Sequence, residues 1–469
     1  MKHVSTNRTT GNNGCKFLRS LLSLKWIVAV CCLLTFSLVQ GMAAPEKPNI
    51  IIIFTDDMGY ADVGCYGGTF TPTPNIDQLA KEGTRFTQFY VASPICSPSR
   101  AGLLTGMYPA RWKIRTFLQS RQGNRAAGQA DFLDPKAPSM VRTLKEAGYA
   151  TAHIGKWHLG GGRDVTDAPP FSAYGYDEHV STYESPAPDP ALTATNWIWS
   201  ANDDVKRWDR SAYFVDKTLD FLKRKKDQPC FVNFWPDDVH TPWVPEGAAP
   251  QAGRKKHESR REFELVLTEY DRQVGRLMEG LKKLGLDKNT IVIFTSDNGP
   301  GPDFAGNPRS LGMRGQKGSL YEGGIRVPFI VRWPGKTPVN RVNDTSLFNA
   351  VDLFPSLCKI AGAPLPKNTK LDGEDVSQIF FGKNISRKHP MFWEFNRNKN
   401  RNEPANRNHS PQIAIRDGRW KFLVNEDGSG AELYDLKADP NETQNLVKKN
   451  QTMTARLTDA ALEWKRAMP

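Results

Sequence analysis

Two rhythms of apolar and polar residues alternate along this chain. Asn49 to Thr55 is a near-continuous β-branched and apolar run, the pattern of a strand buried on both faces in a parallel sheet. Acidic residues follow it at once. Ile76 to Glu82 has helical periodicity, Arg85 to Val91 alternates as one strand, Ser139 to Ala147 is helical, and Tyr149 to Ile154 is a strand ending before Gly155-Lys156-Trp157-His158. The order then repeats. A helix at Ala212 to Lys223 precedes a strand at Phe231 to Phe234, and a helix at Phe263 to Leu284 precedes a strand at Ile291 to Ser296. Such alternation predicts an α/β sheet covered by helices. After Phe329 to Arg332 and a helix over Leu353 to Ala361, short strands follow at Met391 to Phe395, Ile413 to Ile415 and Trp420 to Val424, then a helix over Met453 to Lys465. Residues 365–469 therefore read as a smaller α+β domain beside a larger domain over 45–364.

The amino terminus has a different pattern. Residues 1–25 carry five cations and no acid, Trp26 to Val39 is apolar, and small residues follow at Gly41, Ala43 and Ala44. This is the layout of a secretory signal peptide over 1–44, and the apolar run is short for a membrane span. The expected product is secreted or periplasmic, without a stable membrane anchor. Losing the leader's five cations takes the formal charge from +13 to +8. That balance favours an anionic partner, but the basic residues are scattered, so nucleic acid is not indicated. Cys65, Cys96, Cys230 and Cys358 remain after the leader. They are too few for a disulfide framework, and Cys230 and Cys358 sit in core patterns.

Each predicted strand ends in a polar cluster: Asp56-Asp57, Lys156 with His158, His240 just beyond its strand, and Asp297-Asn298. Open α/β sheets bind ligands at that edge, where residues distant in sequence converge. The two Asp/Asn pairs are hard oxygen donors suited to calcium or magnesium, with calcium preferred. Adjacent carboxylates repel unless a cation sits between them, although either pair alone also fits an ordinary turn. Arg100, Lys156 and Lys317 supply cations, and His158 and His240 can exchange protons near neutral pH. His153, His179, His257, His389 and His409 read as surface or packing residues.

Cys96-Ser97-Pro98-Ser99-Arg100, continuing through Ala101-Gly102-Leu103-Leu104-Thr105-Gly106, resembles the signature of the formylglycine-dependent sulfatases. The resemblance extends to Thr55 to Gly59, Gly155 to Gly160, Thr295 to Gly299, Gly315 to Gly318, Tyr321 to Pro328 and Glu432 to Leu436. It implies an alkaline-phosphatase-like fold, with a mixed, mostly parallel sheet between helices and a smaller C-terminal α+β domain. It also implies that a maturation enzyme oxidises Cys96 to an aldehyde whose hydrate attacks sulfur. In that scheme Asp56, Asp57, Asp297, Asn298 and modified Cys96 hold one calcium, Arg100 holds the diol, and Lys156 and Lys317 bind sulfate oxygens. His240 protonates the leaving oxygen, and His158 removes the remaining diol proton.

Met391-Phe392-Trp393-Glu394 resembles N-acetylgalactosamine-6-sulfatases and arylsulfatase A, which implies a sulfated carbohydrate substrate. Aromatic residues between Phe171 and Trp208, and the Asn- and Arg-rich stretch from Phe395 to His409, are candidates for the pocket rim or for packing. Two other readings stay open at this level: a phosphonate or phosphate monoester hydrolase with the same nucleophile, and a non-catalytic binder of sulfated glycans.

Overall fold

The first strand, β1 (Asn49–Thr55), is buried at every position. Ile50, Ile52 and Phe54 enter one hydrophobic core, and Ile51 and Ile53 enter a second, because successive side chains of a strand face opposite ways. A central strand with a core on each side needs the unbroken apolar run seen in the sequence. Each buried isoleucine contributes about 1.5–3 kcal/mol. This computed structural model describes residues 1, 3–7, 47–192, 204–248, 258–304, 306, 308–367, 369–395 and 409–469. The apolar run over 26–39 and the expected cut site, Trp197 and Trp199, His257, and residues 396–408 lie outside the described residues.

The strands that follow are β2 (Thr84–Phe86), β3 (Phe89–Tyr90), β4 (Ala150–Gly155), β5 (Glu178–Ser181), β6 (Cys230–Trp235) and β7 (Thr290–Ser296). They are succeeded by β8 (Phe329–Arg332), β9 (Arg341–Asn343), β10 (Phe348–Asn349), β11 (Met391–Glu394), β12 (Ile413–Asp417), β13 (Trp420–Val424) and β14 (Glu432–Asp435). Eight of them form a sheet ordered β5-β4-β6-β1-β7-β8-β2-β9. The run from β5 to β7 is parallel throughout, whereas β8 lies antiparallel to both β7 and β2. The carboxyl ends of β4, β6, β1 and β7 therefore share one edge.

The helices include Pro74–Lys81, Cys96–Thr105, Met140–Glu146, Arg210–Arg224, Arg260–Lys283 and Leu353–Ala361. The Arg260–Lys283 helix begins with a reciprocal cap in which Ser259 and Glu262 satisfy each other's backbone N–H.

One local expectation needs correction. Arg85 to Val91 is two strands: the Thr87 N–H still donates to Asn343 of β9, but its carbonyl is taken by Arg326 Nε at 2.7 Å, and the pairing ends there. β3 then pairs with β10 in a separate two-stranded sheet. The sequence pattern also gives no sign of β5, β9, β10 and β14, since these strands of two to four residues lack an apolar run to announce them.

Beyond β10 a four-stranded antiparallel sheet runs β11-β12-β13-β14. On one face Ile413, Ile415, Phe422, Val424 and Leu433 pack on Leu457 and Ala461 of the Gln451–Arg466 helix. On the other, Ala414, Leu423 and Tyr434 join the core of the large sheet. Among the described residues, no helix is long and apolar enough to cross a membrane.

Candidate active site

The shared strand edge is tied together by backbone before any side chain acts. Asp56 N–H donates to the Pro236 carbonyl after β6, Asp297 N–H donates to Thr55, and Lys156 N–H donates to Trp235. Gly155 makes the last bond possible, because it takes φ +120° and a Cβ there would lie 2.1 Å from the Trp235 carbonyl oxygen. Gly299 performs a similar service after Asn298. A Cβ would stand 1.9 Å from the Gly323 carbonyl oxygen, on the segment that follows Lys317. The Lys317 loop is further fastened by Lys317 N–H to Pro300 and Gly318 N–H to Pro94, two residues before Cys96. Asp57 sits in the left-handed region at φ +61°, a conformation that aspartate tolerates better than bulky residues.

On this frame the structure brings together Asp56, Asp57, Cys96, Arg100, Lys156, His240, Asp297, Asn298 and Lys317. Cys96, the first residue of the Cys96–Thr105 helix, places Sγ 3.4 Å from Asp56 Oδ1 and 3.6 Å from Lys156 Nζ. Lys156 Nζ lies 2.6 Å from Asp56 Oδ2, and Lys317 Nζ lies 2.6 Å from Asp57 Oδ1. Arg100, one turn beyond Cys96, donates to Asp297 Oδ2 at 2.7 Å and to the Lys156 carbonyl at 3.0 Å. Its guanidinium also lies 5.1 Å from the Trp235 ring centroid. His240 Nδ1 donates to the Thr241 carbonyl at 2.5 Å, and Nε2 is 3.6 Å from Asp57 Oδ2.

His158 stands behind this group. Its Nε2 is 3.0 Å from the Leu118 carbonyl and 3.2 Å from Glu184 Oε2. Sequence reasoning missed Glu184, which lies in an insert with no motif around it. It also missed Arg207, whose guanidinium holds the Asp237 carboxylate and the His240 carbonyl.

The electrostatics follow from burial. Burial alone would lift Asp56, yet Lys156, His240 and Arg100 outweigh it and hold the carboxyl well below its ordinary range. Asp57 is lowered against burial by Lys317 and His240. Asp297 moves the other way, with burial and the neighbouring Asp56 charge pushing it up to about 7. Burial and Asp56 also raise the Cys96 thiol, so the unmodified side chain is a neutral thiol and a poor nucleophile. Burial and then Lys317 pull His240 down to about 3.

Asp56, Asp57 and Asn298 carry oxygen donors suited to a hard divalent ion, while the compact donor group also holds the softer Cys96 thiol and His240 imidazole and does not include Asp297. Asp56, Asp57, Cys96 and His240 each offer a ligand atom, and these atoms lie within 4.8 Å of one another. Asn298 donates Nδ2 to Asp57 Oδ1 at 2.8 Å. Its buried Oδ1 has no hydrogen-bond partner among the described residues, which is the state of an oxygen suited to a cation.

Of the aromatics between Phe171 and Trp208, Tyr174 and Tyr176 are buried against Trp157, and Tyr176 also packs on His153. Tyr183 Oη accepts from the Arg163 N–H, and Trp208 packs on Val244. Surface clefts of about 410 Å³ around Trp112, Lys136 and Lys370, and about 270 Å³ around Cys65, Lys81 and Arg341, hold none of the clustered charges.

Comparison with known proteins identifies the family of the chain. Residues 48–363 match the sulfatase family, and residues 315–465 match the C-terminal region of N-sulphoglucosamine sulphohydrolase. An N-acetylgalactosamine-6-O-sulfatase of Bacteroides thetaiotaomicron is 31% identical, over 88% of this chain and 92% of the relative. Arylsulfatase A of Homo sapiens is 31% identical over 88% of this chain and 86% of its own. Among solved structures, one reported with the metabolism of multiple glycosaminoglycans by Bacteroides thetaiotaomicron aligns with TM-score 0.71 at 28% identity. That alignment covers 89% of this chain and 98% of the other. Ps i-CgsB in complex with k-i-k-neocarrahexaose aligns at 0.70 and 28%, covering 89% and 93%. The family match spans every strand end that carries the charged cluster, and the chain belongs to the sulfatase family of sulfuric ester hydrolases.

Proposed function

We propose that this chain hydrolyses sulfate monoesters of carbohydrates, using as nucleophile the hydrated aldehyde that a maturation enzyme makes from Cys96. One observation carries the reading: Sγ of Cys96 lies within 3.6 Å of both the Asp56 carboxylate and the Lys156 ammonium. An oxygen at that position meets anionic and cationic groups together, as a nucleophile attacking an anionic ester requires. Asp56, Asp57, Asp297, Asn298 and residue 96 are assigned to one calcium ion. Bound there, calcium would supply positive charge that favours the ionised nucleophile and offsets charge building on sulfuryl oxygens.

The rest is the work of the chain's own residues. Arg100 orients the diol, and Lys156 and Lys317 hold sulfate oxygens already in place when charge develops. Three carboxylates face three side-chain cations, so the cluster is neutral by itself and a divalent ion leaves it cationic toward an anionic ester. His240 protonates the leaving oxygen, a step that matters most for sugar hydroxyls, which depart poorly as alkoxides. Burial and Lys317 keep the free ring neutral, and the incoming sulfate brings the negative charge that favours its protonated form. His158 takes the remaining diol proton, the aldehyde re-forms, and sulfate departs.

The names of the relatives favour a carbohydrate substrate. The domain assignment is a cleaved leader over 1–44, a catalytic domain over 45–364 and a smaller domain over 365–469, in a secreted or periplasmic product. Release of inorganic sulfate from a panel of defined sulfated saccharides, beside matched aryl sulfate and aryl phosphonate esters, tests the reading. Mass spectrometry of the residue-96 peptide runs alongside. Sulfate release with an aldehyde at residue 96 is expected, and an unmodified thiol with no hydrolysis would sink the proposal.

A further inference from the structure

His158 is held by more contacts than a solvent-facing base would need. Its N–H donates to the Glu184 carbonyl at 3.1 Å, and its backbone takes φ +53°. The ring nitrogen Nε2 faces two groups that only accept, the Leu118 carbonyl at 3.0 Å and Glu184 Oε2 at 3.2 Å. Nε2 must therefore carry the hydrogen in the neutral ring, which leaves Nδ1 as the proton acceptor. Leu118 is itself fixed, because its N–H donates to Ser97 Oγ at 2.9 Å. Ser97 is the neighbour of Cys96, so a two-step hydrogen-bond chain ties the orientation of the ring to residue 96. Burial, and after it the charge of Lys156, hold the ring well below its ordinary range, so it stands as a neutral base beside the cluster.

Glu184 completes this arrangement. It is 5% exposed, and Arg163 donates to its Oε1 from Nε at 3.1 Å and Nη2 at 2.8 Å. Its Oε2 is buried, accepts no hydrogen bond among the described residues, and lies beside the imidazole. A buried carboxylate oxygen left without a donor is costly unless a charge arrives to meet it.

We propose that Glu184 is the positioning carboxylate of His158, held by Arg163 and offsetting the imidazolium that forms when His158 deprotonates the sulfated diol. The inference rests on the reading of residue 96 and His158 given above, and adds to it. In the step concerned, Nδ1 takes the proton of the free hydroxyl. The O–H electron pair becomes the second bond of the aldehyde C=O, and the bond from that carbon to the ester oxygen breaks. The electrons of that bond leave with sulfate. Cleavage of the substrate's own ester has already occurred, so loss of Glu184 slows only the second half of the cycle.

The test uses Glu184→Gln, which is nearly isosteric, and Arg163→Met, whose side chain is one-third exposed and outside the core, with 4-nitrophenyl sulfate as probe. In both variants the first turnover should release nitrophenol in a burst at the parent's rate. Steady-state turnover should then fall, by about 10²-fold in Glu184→Gln, the lower end of what a positioned general base supplies. The residue-96 peptide of quenched enzyme should carry the mass increment of one sulfonate group, which a merely structural defect would not produce. Parent-like turnover without that adduct in both variants would overturn the proposal, as would a burst slowed in step with the steady state. If the parent itself forms no aldehyde at residue 96, the failure belongs to the sulfatase reading of the site.

Discussion

This molecule buries two clusters of charge that differ in what they leave without a partner. Under the C-terminal sheet, Lys421 Nζ meets Glu322 at 3.0 Å and Glu442 at 2.8 Å. Glu442 also accepts the Glu322 N–H, Tyr90 donates to Glu322, and Arg416 reaches Tyr90. Each member of that network meets another within the protein, Glu442 Oε1 through its ion pair with Lys421 alone. At the carboxyl edge of the large sheet the buried amide oxygen of Asn298 has no hydrogen-bond partner among the described residues. A carboxyl raised to about 7 and a residue at positive φ, by contrast, occur in both clusters, as Asp297 and Asp57 here and as Glu442 there. Burial of charge is common to both, so it does not mark function by itself. The distinguishing sign is what the protein leaves unsatisfied, and there an outside ion or substrate has a place.

The contrast can be broken most directly by exchange of consequences. Cys96→Ala should abolish hydrolysis, and Lys156→Ala should lower turnover by about 10²–10³-fold, both with the parent's circular dichroism spectrum. Lys421→Met should do the reverse. It strands two buried glutamates, costs about 3–5 kcal/mol in urea unfolding, and leaves turnover per folded molecule near the parent's. A rate defect in Lys421→Met without loss of stability would erase the distinction.

Chelation sharpens it. Removing the assigned calcium should lower the thermal midpoint as well as activity, since a ligand present at a hundredfold its Kd contributes about 2.7 kcal/mol. Calcium should restore both better than magnesium. An unchanged midpoint after exhaustive chelation would argue against a tightly held ion.

The smallest effect concerns pH. Burial, opposed by Lys421 and reinforced by Glu322, raises Glu442 from 4.5 to about 7. Between those values the folded state binds more protons than the unfolded chain, so this group's contribution to stability falls as pH rises. Glu442→Gln should flatten the dependence of the urea midpoint across that window, and an unaltered slope would refute the assignment.

Much of this was legible in the sequence because the large sheet is parallel. Runs such as Ile50 to Phe54 and Ile291 to Phe294 are apolar throughout, and each announces both a strand and the polar residues at its end. Asp56, Lys156 and Asp297 could be placed together for that reason. The edge strands β5 and β14 could not be seen, since partial exposure lets polar residues into them. Glu184 was invisible for a related cause. Its role depends on a loop returning from β5 to meet His158, and no local pattern encodes a meeting across 26 residues of chain. The split of Arg85 to Val91 was likewise a tertiary decision, made when Arg326 takes the Thr87 carbonyl.

The 2% exposure of Cys96 sets an order of events. A maturation enzyme of the proposed kind would have to reach the thiol, and here Sγ is enclosed beside Asp56 and Lys156. On the proposed reading, oxidation of residue 96 would act on the nascent or still-unfolded chain. Protein that folded with its thiol intact would then stay inactive, and later addition of the modifying enzyme should rescue it only after denaturation.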